Sequence, residues 1–234
     1  MADGARRQLT PPLTAALWLD PSTVLAATET GLRRIDTSTG DSRALGGDTV
    51  VSSFQRQPGG WVLATDGQTG FVLSPDALDQ RASLAAAQTV GIVTPDGASI
   101  VYARQSTTID GSDILVAPLG TSGAERLLAS RGGFLQLLTI SQDGRFLVVS
   151  DSNNAMHGED ERSRLLVYDL RRSDPQQPIA TPYYRHSSRT ERGGSMLVTD
   201  ENHRVGLVEI ATGRFTGIGA GYNAEWVGGD RREP

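Results

Sequence analysis

The chain has 234 residues, 38% of them hydrophobic, and a formal net charge of −5. That length and apolar content suffice for one large core or two small ones, while an acidic balance with no basic tract excludes a binder of nucleic-acid backbones. There is no cysteine and all 22 basic residues are arginine, which excludes disulfides, thiolate metal sites, cysteine nucleophiles, and any Schiff-base or P-loop lysine.

The polar, Pro-containing start MADGARRQLTPP reads as a flexible leader, residues 1–14. Strands then follow to residue 221. The first unit has AALWLD, LDPSTVLAAT (19–28), GLRRID (31–36), the turn TSTG, and SRALGG (42–47). The second has VVSSFQR, QPGGWVLATD (57–66) and GFVLSP (70–75). SPDALDQRASLAAA (74–87) is the best helical composition in the chain, but its place in the unit is that of a turn and a closing strand. The third unit has TVGIVTP, TPDGASIVYAR (94–104), DILVAP (113–118) and ERLLAS (125–130). The fourth has LQLLTIS, SQDGRFLVVSD (141–151) and RLLVYDL (164–170). The fifth has YYRHSSRTE (183–191), ERGGSMLVTD (191–200), RVGLVEI (204–210) and RFTGIG (214–219). The tail, 222–234, contains YNAEWVGGD, which resembles the opening AALWLDPS and is expected to add a strand or close a ring.

The turns before the strong strands repeat. Anchored on Pro21, Pro58, Pro95, Gln142 and Arg192, they stand 37, 37, 47 and 50 residues apart. Periods of that size with several strands per unit predict an all-β fold, a β-propeller of about five four-stranded antiparallel blades over residues 15–221. A sandwich of regularly spaced strands is the alternative. Neither a 20-residue apolar run nor a signal-peptide core is present, so a soluble chain without a direct membrane span is expected.

TPDGASIVYAR…SDILVAPLG…ERLL and SQDGRFLVVSD…SRLLVYDL resemble the repeats of TolB-like propellers, written approximately S-P-D-G before an apolar strand, and at the level of architecture they are WD-repeat-like. The resemblance covers residues 15–220 as architecture and is specific in the third and fourth units. It implies a bacterial scaffold outside the cytoplasm, periplasmic or secreted, or a cap on a hydrolase domain. Gln142 stands where the pattern has proline, and Glu191-Arg192-Gly193-Gly194 replaces the turn in the fifth unit. Such motifs identify a blade and not an activity.

If each unit's strands are lettered a to d, the b–c and d–a connections of an antiparallel blade leave by one face. Two b–c loops are long, QSTTIDGS (105–112) and SNNAMHGEDERS (152–163), and the d–a connection TPYYRHSS (181–188) is expected beside them. Long loops in an economical repeat are where function gathers. The expected partner-binding residues are Asp151, Asn153, Asn154, His157, Tyr183, Tyr184, Arg185 and His186, with Tyr and Arg the types enriched at hot spots. A solvated loop tip is the plain alternative for HGEDER. Arg185 and Arg189, alternating on a polar inner strand, form a candidate clamp for a carboxylate or phosphate. The oxygens of DSNN and GEDE lack EF-hand spacing, so neither a metal nor a cofactor is expected.

No G-x-S-x-G elbow occurs, and the three histidines lack zinc-site spacing. Asp20, Glu191 and Glu225 are the carboxylates a glycosidase would draw on. The leading expectation is therefore a non-catalytic scaffold or recognition module that binds a protein partner through its long-loop face. A small propeller hydrolase of glycosidase or lactonase type, and a lectin-like sugar binder, are the alternatives. A homo-oligomer through an open sheet edge is a further option.

Overall fold

The structure, a computed structural model, describes residues 12–45, 50–120, 124–152, 163–172 and 178–221. The described secondary structure is strand apart from two short 3-10 segments, Pro58–Gly60 and Ala86–Val90. The chain divides into two compact units, residues 1–89 and 90–234. Among the described residues no helix is long and apolar enough to cross a membrane.

The first unit holds two four-stranded antiparallel sheets in chain order. One is β1 (Leu13–Trp18), β2 (Thr23–Thr28), β3 (Gly31–Asp36) and β4 (Ser42–Ala44); the other is β5 (Ser53–Arg56), β6 (Val62–Thr65), β7 (Gly70–Leu73) and β8 (Arg81–Leu84). The first strand thus begins inside the expected leader. The helical composition at 74–87 yields a turn and β8, since Leu84 serves the sheet as a buried apolar residue. Between the sheets lie Leu25, Ala27 and Leu32 from one and Val62, Ala64, Phe71 and Leu73 from the other.

The second unit opens with β9 (Ile92–Val93), β10 (Ser99–Gln105), β11 (Gly111–Pro118) and β12 (Arg126–Gly132). It continues with β13 (Phe134–Ile140), β14 (Phe146–Ser152), β15 (Ser163–Asp169), β16 (Ile179–Arg192), β17 (Ser195–Asp200), β18 (Arg204–Glu209) and β19 (Phe215–Ala220), which pair in that order. β16 belongs to two blades. Its first half pairs with β15 as a d strand and its second half with β17 as an a strand, and Tyr184 has a partner on each side, Ser163 and Asp200. The segment 181–188, expected as a connection on the long-loop face, is therefore the middle of a 14-residue strand. Pro182 fits there because the β15–β16 register shifts beside it, and the N–H of Leu165 finds the Thr181 hydroxyl at 3.0 Å. The expected loop at 105–112 is also shorter, since β10 runs to Gln105 and β11 starts at Gly111.

The sheet of the fourth blade buries both faces, so its central strands read as continuous apolar runs. On β14, Leu147 and Val149 pack with Ile114, Leu128, Leu135 and Tyr168 toward the third blade. Val148, on the opposite face, joins Tyr184, Met196, Val198 and Val208 of the next interface. The Arg126 guanidinium adds a polar tie between blades, donating to the carbonyls of Leu170 (2.9 Å) and Arg172 (2.7 Å).

The repeated turn has a physical basis. The buried hydroxyls of Thr94 and Ser141 each donate to a carboxylate two residues on, Asp96 and Asp143, at 2.6 Å. The same hydroxyls accept the N–H of Ser99 (3.0 Å) and Phe146 (2.8 Å). Gly97 and Gly144 turn the chain at φ 69° and 70°, where a Cβ would be strained. The side-chain bond from Ser141, followed by the Arg145 N–H, holds the Asp143 carboxyl below its ordinary 3.8. Ser141→Ala should cost about 1–2 kcal/mol in urea unfolding near neutral pH. Because the Asp143 pKa is depressed in the folded state, that stabilisation is fully present above the unfolded pKa and is lost as pH falls through the folded one. The difference between wild type and variant should therefore narrow below about pH 4.

Candidate binding site

The b–c turn of the fifth blade is built around Asp200, the last residue of β17. One carboxylate oxygen, Oδ1, accepts the N–H groups of Asn202 and Arg204, both at 2.9 Å. The other, Oδ2, accepts Arg204 Nε at 2.7 Å and pairs with Nη2 at 2.6 Å. The turn closes through His203 at φ 58°, the one non-glycine residue with positive φ among the described residues. Burial raises the Asp200 proton affinity, but the Arg204 N–H, the Arg204 guanidinium and the Asn202 N–H together outweigh it and hold the carboxyl below the ordinary range.

Beside this turn a cleft of about 100 Å³ opens between β16 and the fifth blade. Val198, Val208 and Phe215 form its apolar side; Thr181, Asn202 and the Asp200–Arg204 pair form its polar side. The Arg204 side chain is 62% exposed and its Cζ stands 5.7 Å from the centre of the Phe215 ring. The cleft thus presents an apolar wall next to a half-solvated guanidinium.

Tyr184 lines the cleft but is not a surface anchor. It is buried, and its hydroxyl bonds Ser150 at 2.7 Å. Truncating it would therefore open the core as well as alter the cleft. Asp151 is also buried and is paired with Arg164, whose Nη2 lies 3.1 Å from Oδ2. The pair stands on the β14–β15 ladder, Asp151 opposite Arg164, as the turn pair Asp200–Arg204 stands at the end of β17. Asn153, Asn154 and His157 lie outside the described residues. The backbones of Tyr183, Arg185, His186 and Arg189 run along β16. The β16–β17 register shifts between Tyr184 and His186 and again between Ser187 and Glu191. Of the glycosidase carboxylates, Asp20 accepts the Ser22 N–H and hydroxyl of its own turn, and Glu225 lies outside the described residues.

Sequence reasoning missed Asp200 and Arg204. The available signal was a hydroxyl residue and an acid closing the b strand, in Thr65-Asp66, Ser150-Asp151 and Thr199-Asp200, with an arginine opening the c strand in the last two cases.

No protein-family model and no curated protein sequence matches the chain. In structure it is similar to a prolyl endopeptidase, with a TM-score of 0.57 and 15% identity over 86% of this chain and 35% of that one. It is also similar to prolyl oligopeptidase B from Galerina marginata, with a TM-score of 0.57 and 14% identity over 84% and 34% of the two chains. TolB from Acinetobacter baumannii aligns at a TM-score of 0.46 and 15% identity, over 87% of this chain and 53% of that one. The chain spans about a third of the length of the prolyl peptidases it matches. At such identities the likeness shows the fold alone: an all-β chain of the β-propeller class, with about five four-stranded antiparallel blades.

Arg204→Ala leaves Asp200 its two N–H donors but no counter-charge. The Asp200 carboxyl should titrate closer to 3.8, read by carboxyl NMR, and stability near neutral pH should fall by about 1 kcal/mol, since Arg204 is largely solvated. Arg204→Lys should restore only part, because the two-pronged contact is lost.

Proposed function

We propose that this propeller is a non-catalytic recognition module that binds a protein partner, through an extended segment, at the b–c end of the fourth and fifth blades. The observation that carries the reading is the cleft between β16 and the fifth blade, with Phe215 and Val208 on one side and the Asp200–Arg204 pair on the other. Its size and mixed lining suit a peptide side chain and its flanking amides.

The chemistry of the neighbouring acids supports binding over turnover. A general acid must hold its proton near the working pH. Asp200 is instead held ionised by Arg204 and two backbone donors, and Asp151 is paired with Arg164. The S/T-x-D-G turns support, within the same proposal, kinship with TolB-like propellers. The matched peptidases carry a propeller of this kind as a fraction of a longer chain, which accords with a module that serves recognition.

The cysteine-free sequence makes the test clean. A single cysteine placed by Asn202→Cys, at an exposed position on the cleft rim, carries a photo-crosslinker without competing thiols. A second, at Gln142→Cys in the a–b turn of the fourth blade, is the control. Position 202 should crosslink one discrete protein in extracts of the source cells; excess wild type should remove that product, and free Arg204→Ala protein should leave it. Equal labelling from both positions, or none from 202, contradicts the reading.

A further inference from the structure

The polar atoms in the wall of the fifth-blade cleft are already bonded within the fold. Asp200 Oδ1 takes the N–H groups of Asn202 and Arg204, and Oδ2 takes the Arg204 guanidinium. The Tyr184 hydroxyl donates to Ser150 Oγ at 2.7 Å, and the Thr181 hydroxyl oxygen accepts the Leu165 N–H at 3.0 Å. These three side chains line the cleft together with Val198, Val208 and Phe215. A polar group that entered would give up its water for little in return, whereas an apolar group is favoured by the surface it covers.

The volume limits what can enter. The cleft holds about 100 Å³, well short of the roughly 300 Å³ at which pockets for whole small ligands begin. An apolar cavity of about 150 Å³ is what a benzene-sized group fills, so a single branched aliphatic side chain suits these bounds. The Phe215 wall owes its position to a glycine. Gly206 lies on β18 between the lining residues Arg204 and Val208. A Cβ there would stand 2.5 Å from Phe215 Cε2 and Cζ and 2.6 Å from the Thr216 carbonyl oxygen. The ring thus occupies the space that a side chain at position 206 would need.

Charge at the mouth selects the neighbours of that side chain. Glu201 is exposed beside Asn202, and the lining carries two carboxylates, Asp200 and Glu201, against the one guanidinium of Arg204. Arg204 is committed to Asp200 at 2.6 Å, which leaves the mouth net negative. An acidic neighbour is repelled there and a basic one attracted. We infer that the cleft anchors one aliphatic side chain, of valine to leucine size, from a partner segment that carries a basic residue beside it. The inference rests on the recognition reading and names the ligand of that same site.

The test uses the full chain and N-acetylated dipeptide amides as probes, read through the methyl NMR signals of Val198 and Val208. Leu-Arg should shift both signals saturably in the millimolar range. Asn-Arg should bind roughly tenfold more weakly, and Leu-Glu roughly twofold more weakly at low salt. Glu201→Gln should bring Leu-Glu level with Leu-Arg and leave Asn-Arg weak. Gly206→Ala, which displaces the Phe215 ring, should weaken Leu-Arg and leave Asn-Arg unchanged. Because the Thr216 carbonyl also stands against a Cβ at that position, Val208→Ala is the second variant. It widens the cleft without touching the backbone and should move the preference from Leu-Arg toward Phe-Arg. No saturable shift with Leu-Arg, equal binding of Leu-Arg and Asn-Arg, Leu-Glu binding at least as well as Leu-Arg, or an unchanged Leu-to-Phe preference in Val208→Ala overturns the inference. Crosslinking from position 202 reads recognition independently. A discrete crosslinked protein with no leucine preference keeps the recognition reading and removes this ligand; a leucine preference with no crosslinked protein does the reverse.

Discussion

A four-stranded sheet of short strands has two apolar faces, and neither can be left in water. Everything else in this protein depends on that constraint. β14 shows it most clearly: Leu147 and Val149 enter one interface and Val148 the other, at roughly 25 cal/mol per Å² of apolar surface removed from water. Strands buried on both faces lose the alternation of a half-solvated sheet and read as LVV, ILV or LLV. Polar groups are consequently displaced to strand ends. There they are either consumed by turns or left available at the seams between blades.

The b–c end illustrates how one residue pattern yields different chemistry according to the length of chain that follows it. Asp200 is followed by three residues and Arg204, and its own turn feeds both of its oxygens. Asp151 is followed by a longer connection before Arg164, and the ladder sets that arginine against Oδ2 through Nε and Nη2.

The blades were legible because their signals are local. The hydroxyl, the carboxylate and the glycine of each S/T-x-D-G turn bond to one another within six residues, so sequence proximity encodes the geometry. β16 was illegible as one strand because Pro182 and the polar run after it look like a connection. Its continuity depends on two partners, β15 and β17, distant in sequence. Tyr184 was singled out by a residue type that serves interfaces and cores alike, and only packing against Met196 and Val208 distinguishes the two. Asp200 and Arg204 looked like ordinary turn residues; the cleft beside them is made by Thr181 and Phe215, which sequence does not bring together.

Two-sided burial makes a strong kinetic statement. β14 belongs to both interfaces of the second unit, so neither can open without exposing it. Native-state hydrogen exchange under increasing denaturant measures this directly. Amides of β14, β15 and β17 should exchange only through one shared opening whose free energy equals that of global unfolding, while the exposed edge strand β19 exchanges by local fraying. Separate openings for β14–β15 and for β17–β18, at clearly different free energies, would contradict the account.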